Sequence, residues 1–244
     1  MPVNNNLKKM NQSANDKVVE YKCGEETVKL SPSIIKNYLV NGNGDVTDQE
    51  VVMFLNLCRF QHLNPFLREA YLIKFGSQPA TIVTGKDAIT KRAMRNPTFA
   101  GQQAGVVIFH TESGELEYRT GSLLMKGEEL VGGWAKVFAK NYQQPIEAVV
   151  SFDEYVGTTK NGEVNSQWSK KPATMIRKVA LVQALREAFP DDLGGLYDQS
   201  EMGINIDESA LAPLEIDQTA ELPPAQPTVE MPEEQTTIAE LQDF

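Results

Sequence analysis

The segment from Trp168 to Phe189 constrains the fold more than any other, because it is apolar on nearly every side at helical spacing. Met175, Val179, Val182, Leu185 and Phe189 recur with the helical period, and Ile176, Ala180, Ala184 and Ala188 fill the adjoining side. At roughly 3.6 residues per turn the run predicts one helix of about six turns. A helix with that pattern is buried in a core. Pro172 suits a first-turn position, where its missing N–H removes nothing. The few charges are mostly basic: Lys170, Lys171, Arg177, Lys178 and Arg186. Cations beside a helix N-terminus oppose the macrodipole, which favours anions there. A phosphate would resolve the conflict, because the free N–H groups of that end suit an anion. A core helix with a solvated basic end accounts for the same residues, and both readings stay open at this point.

Charge is segregated along the 244 residues, and the net value of −10 conceals it. Residues 1–190 hold all 23 Lys and Arg against 19 acids, whereas the last 54 residues hold 14 acids and no cation. A basic body with an acidic tail fits a nucleic-acid binder whose tail contacts a protein or competes for the basic surface. Two cysteines, Cys23 and Cys58, cannot staple a fold of this size. No stretch approaches transmembrane length and no leader pattern opens the chain, so the expectation is a soluble cytoplasmic protein without a membrane partner.

Residues 1–30 are polar and read as a loose, flexible arm with at most a short strand. Ser31-Pro32 caps a helix over Ser33–Val40, and residues 41–45 are a turn. The turn resembles a calcium loop, but Val46 and Val52 stand where that loop needs glycine and glutamate. Thr47-Asp48-Gln49-Glu50 is a capping box opening a helix that ends before Asn64-Pro65. From Glu69 the period becomes two. Strands are expected at residues 71–75, 80–84, 104–110, 116–120, 130–140 and 146–151, with a short helix after Thr84-Gly85-Lys86-Asp87 running through Arg95. A loop at 157–167 leads to the long helix. The order predicts an α+β core over residues 31–200, a small antiparallel sheet packed with helices including one long core helix. Residues 201–235 read as an acidic disordered linker, and 236–244, with Ile238, Leu241 and Phe244, as a short interaction segment.

Two further basic groups stand out. Trp134, Lys136, Phe138 and Lys140 share one strand face, a pattern that suits stacking on bases and neutralising phosphates. An edge strand blunted by lysines gives the same pattern. The helix through Arg95 carries Lys86, Lys91, Arg92 and Arg95 against only Asp87, where a structural helix more often pairs cations with acids one turn away. No phosphate-binding glycine loop, paired-cysteine metal motif or nucleophile–histidine grouping is present, and only His62 and His110 could serve such a grouping. Glu20-Tyr21-Lys22 is the one triplet suggesting a metal-dependent nuclease, so enzyme readings rank low and no cofactor or metal is expected.

Three blocks resemble the phage single-strand annealing proteins of the RecT/Redβ (Bet) family, most closely its Redβ-like branch. His62-Leu63-Asn64-Pro65-Phe66, running on to Arg68 and Tyr71, is similar to the family's Gly-Leu-Asn-Pro-aromatic block. Val83-Thr84-Gly85-Lys86-Asp87 is similar to its Val-x-Gly-x-Asp turn into a helix. Trp168, Pro172, Met175 to Leu181, Arg186, Ala188-Phe189 and Gly195 to Asp198 follow the order of its most specific block.

The resemblance implies ATP-independent binding of single-stranded DNA and annealing of complementary strands in phage recombination inside a bacterial host. It also implies homo-oligomeric rings or helical filaments, with the annealed duplex as an intermediate. Arg68, Arg177, Arg186 and Trp168 match positions of the family pattern, which has basic residues where this chain has Ala173 and Val179. Charge and placement add Lys74, Lys86, Lys91, Arg92, Lys136, Lys140, Lys170, Lys171 and Lys178 as DNA contacts. The family's helical C-terminal domain is expected to have no counterpart here, and the acidic tail is then expected to meet an exonuclease or host single-strand-binding protein. The alternative is a non-annealing adaptor that binds nucleic acid passively and recruits a partner through that tail.

Overall fold

Strands of period two and helices of period 3.6 alternate as the patterning predicts, and the architecture is α+β. The computed structural model describes residues 16–159 and 161–202. Residues 1–15, the acidic linker from 203 on and the segment 236–244 lie outside the described residues.

The expected loose arm is, from Val19 onward, a hairpin of β1 (Val19–Cys23) and β2 (Glu26–Leu30) turning at Gly24. Alternation buries Tyr21, Cys23, Val28 and Leu30 and leaves Glu20, Lys22, Thr27 and Lys29 outside. A lone hairpin is marginal in water. This one is anchored: the Tyr21 hydroxyl donates to the Leu63 carbonyl at 2.7 Å, and the buried face joins the main core.

Ser31 caps a single turn, α1 (Pro32–Ile34), by accepting the Ile34 amide. The expected helix to Val40 is instead a π-turn over Ile35–Leu39, and Val40 leaves it as β3 (Val40–Gly42). Gly42 makes the strand possible, because a Cβ there would stand 2.1 Å from the Lys74 carbonyl oxygen. The capping box is present as read: Thr47 and Glu50 satisfy each other's backbone amides and open α2 (Asp48–Phe60). A short 3-10 turn (Pro65–Leu67) leads into β4 (Ala70–Lys74) and β5 (Thr81–Thr84). β3 pairs parallel to β4, and β4 antiparallel to β5.

α3 (Lys86–Arg95) connects to the larger sheet, formed by β6 (Phe99–His110), β7 (Glu115–Thr120), β8 (Glu129–Ala139) and β9 (Ile146–Ser151). Its order is β7-β6-β8-β9, antiparallel throughout. After α4 (Phe152–Tyr155) the chain reaches the segment read as one long helix.

That segment is two helices, α5 (Ser166–Lys170) and α6 (Pro172–Ala188), broken at Lys171 with φ −138° and ψ 50°. The proline ring disfavours helical backbone at the residue before it, so Pro172 starts a helix and cannot continue one. α6 packs on β6, β8 and β9, and its buried Ile176, Val179 and Ala180 share one apolar core with Ala135, Val137, Ala148 and Val150. Contact is close at Gly133, where a Cβ would lie 2.5 Å from the Ile176 carbonyl oxygen. After α7 (Pro190–Leu193) the chain returns to β5, and the Thr84 amide donates to the Tyr197 carbonyl at 2.8 Å.

Candidate nucleic-acid interface

Three of the residues expected to touch DNA are instead committed to the fold. Trp168 is 2% exposed and packs edge-on against Phe152 at 5.6 Å, so no ring face is open to a base. Lys74 is 6% exposed and its ammonium lies 2.7 Å from Glu50 Oε1. Arg186 reaches Glu201 through both terminal nitrogens, donates to the Leu196 carbonyl and stacks 4.5 Å over the Tyr197 ring. It clamps the returning segment. Lys74 and Arg186 are each held by a carboxylate, because a buried charge without a partner is costly.

Others are partly engaged. Arg177 donates from Nε to the Ala104 carbonyl at 3.1 Å, tying α6 to β6. Lys178 lies 3.3 Å from buried Asp198. Lys136 faces Glu147 directly across β8 and β9 at 2.7 Å; beside it Trp134 is 7% exposed, which withdraws the indole from base stacking, while Phe138 on the same face is half-buried. Lys86 pairs with its neighbour Asp87, and Arg68 ends the 3-10 turn in left-handed backbone at φ 61°. Lys170 and Lys171 are exposed where α5 meets α6. The 17 residues of α6 carry that junction about 25 Å from the α7 end of the helix.

Lys91 and Arg92 converge with residues the sequence did not connect. With Arg95 they line a cleft of about 500 Å³, bounded by Lys22 and Gly24 of the β1–β2 turn, by Gln61, His62 and Leu63 after α2, and by Asp192 of α7. Arg92 donates to the Gln61 carbonyl. The Arg95 guanidinium stands beside Gly24, where a Cβ would be 3.5 Å from Nη2. Pro97 also lines the cleft, and its carbonyl accepts Lys140 Nζ at 3.0 Å, which brings a further expected cation to the rim.

Cations outnumber acids here. Glu69 lies beneath the cleft, with Lys91 at 2.9 Å and the Asn64 amide at 2.8 Å. Burial pushes its carboxyl up, but the Asn64 amide and Lys91 outweigh that and hold it below the ordinary range. Asp192 accepts from Asn96 at 2.7 Å. Burial and the Glu69 carboxylate push the nearby Cys23 thiol up, so it stays a packed thiol. Among the described residues no three His, Cys, Asp or Glu side chains are placed to hold a metal ion, and no helix is long and apolar enough to cross a membrane. Arg95 was legible as the fourth cation of α3. Lys22 and His62 were not, because their position depends on a hairpin read as a loose arm.

A model of the RecT family matches residues 25–213. The chain belongs to the RecT family. The match takes in every element of this RecT chain from β2 to α7, and with them α3, Gln61, His62, Leu63 and Asp192 of the cleft. An uncharacterized protein of Ureaplasma parvum serovar 3 is similar to it, at 28% identity over 158 residues. The alignment covers 63% of this chain and 62% of that protein, so the RecT chain spans less than two thirds of the length of its relative.

Proposed function

We propose that this RecT-family chain binds single-stranded DNA without ATP and anneals complementary strands in phage-type recombination, working as a homo-oligomeric ring or filament. The observation that carries the reading is the cleft that Lys22, Lys91, Arg92 and Arg95 line together, with Lys140 donating to the carbonyl of its lining residue Pro97. Cations there hold a strand by its phosphates and leave the base edges free to sample a second strand. Watson–Crick pairing then supplies specificity, and no bond chemistry is needed. Lys170 and Lys171 are a second basic patch along the path of a longer strand. The sequence blocks favour the Redβ-like branch, and an exonuclease or host single-strand-binding protein would meet the acidic tail.

The test mixes two complementary oligonucleotides, one dye-labelled and one quenched, with the protein and no ATP. Pairing is expected to accelerate and to slow as salt rises. Lys91→Ala with Arg95→Ala is expected to weaken binding for all sequences alike, and to reduce the slope of log affinity against log salt by about 1.4, two phosphates at about 0.7 each. Binding without faster pairing would overturn annealing in favour of a passive adaptor. An unchanged salt slope in a folded double variant would overturn the cleft as the site.

A further inference from the structure

His62 sits in the cleft in a backbone conformation that side chains rarely adopt, with φ 49°. The block it opens resembles a motif with glycine at this position, and glycine is the residue that left-handed backbone favours. This chain instead places an imidazole there, with one contact to its ring and one to its backbone. The ring Nδ1 lies 2.7 Å from the Lys22 carbonyl oxygen, and the His62 carbonyl accepts the Cys23 thiol at 3.0 Å. A carbonyl oxygen can only accept, so Nδ1 carries the proton of the neutral ring and Nε2 is left as its lone-pair nitrogen. His62 is exposed.

The charged groups lining the cleft with it are Lys22 on β1, Lys91, Arg92 and Arg95 on α3, Glu69 before β4 and Asp192 on α7. A phosphate held among them favours the protonated ring, because neutral Nε2 offers only a lone pair while protonated Nε2 donates to an oxyanion.

We propose that His62 is a proton-linked phosphate ligand of the cleft: a DNA phosphate binds with uptake of one proton at Nε2. The inference rests on the cleft being the single-strand site and adds a chemical group and a pH dependence to it. Because binding takes up a proton, affinity rises as pH falls from 8 toward 6, the range in which imidazole side chains change charge.

The experiment measures binding of a thymidine-only oligonucleotide, whose bases do not titrate in this range, at several salt concentrations at pH 8 and pH 6. The wild-type salt slope is expected to steepen by about 0.7 at pH 6, the signature of one more phosphate neutralised. His62→Asn tolerates left-handed backbone and does not titrate, so it is expected to keep the pH 8 slope at both pH values. His62→Gly relaxes the backbone and is expected to do the same, which guards against a folding defect. Equal steepening in both variants would assign the effect to other groups, such as His110, and overturn the inference while leaving the cleft intact. A pH-independent slope in the wild type would overturn it too. Absence of binding at either pH would overturn both readings together.

Discussion

Lys74 and Glu50 are 24 positions apart and meet at 2.7 Å with their side chains 8% and 17% exposed. Glu50 Oε1 also accepts the Ala80 amide at 2.7 Å, and Oε2 accepts the Thr47 amide at 2.8 Å. One carboxylate therefore starts α2, holds the β4–β5 connection and neutralises a buried ammonium. Removing only one charge of an enclosed pair leaves the other uncompensated, whereas removing both need not. Glu50→Gln is expected to lower the melting temperature by more than Glu50→Gln combined with Lys74→Met. Calorimetry of the two variants checks the order, and Lys74→Met is expected to leave the salt slope of DNA binding unchanged.

Acid is expected to destabilise this protein, and the same carboxylate and Glu128 are among the groups through which it acts. The Lys74 ammonium, with the Thr47 and Ala80 amides, holds Glu50 down to about 2. Glu128 is held to about 2 by Arg119, which grips both its oxygens at 2.7 Å. A folded-state value below the ordinary 4.5 means that the unfolded chain binds protons first as pH falls. The stabilisation is complete above pH 4.5 and drains away between 4.5 and 2. Urea midpoints at pH 7, 4 and 2.5 are expected to fall in that order, and Glu128→Gln to flatten the lower part of the profile.

Trp168 packs the α4–α5 corner and touches no open surface. Trp168→Ala is expected to cost about 3–5 kcal/mol of stability, the range for emptying a large aromatic site. Trp168→Phe should keep the fold and leave single-strand affinity within about twofold. A tenfold loss of affinity in a folded Trp168→Phe protein would return this residue to the interface.

Arg186 holds the returning segment through Glu201, Leu196 and Tyr197. Its side chain is 19% exposed and that of Glu201 is 5% exposed, so Arg186→Ala should cost about 2–3 kcal/mol, in the range of charge-assisted hydrogen bonds. Limited proteolysis is expected to cut between Gly194 and Met202 in the variant and not in the wild type, before any cut in the elements from β1 to α6. The salt slope of DNA binding should stay as in the wild type, which separates this clamp from Lys91 and Arg95.

Gly133 lets α6 lie on β8. Gly133→Ala is expected to cost about 1–3 kcal/mol by overpacking, readable as a lower urea midpoint without loss of strand content.

Much of this architecture was legible in the residues. The Thr47–Glu50 capping box and the α3 boundaries depend on neighbours within a few positions, and local rules act at that range. The sequence also separated a basic body from an acidic end and carried the three blocks of the RecT family. What it left open depends on contacts far apart in the chain. The β1–β2 hairpin forms because Tyr21 finds Leu63 and Cys23 finds His62, and two five-residue strands alone do not announce that. Which cations remain available was decided the same way. Lys74, Arg186 and Lys91 look alike as residues, yet Glu50 and Glu201 enclose the first two, while Lys91 keeps half its side chain in solvent. A charge's role follows from the dielectric and the partner around it, and only the tertiary structure supplies those.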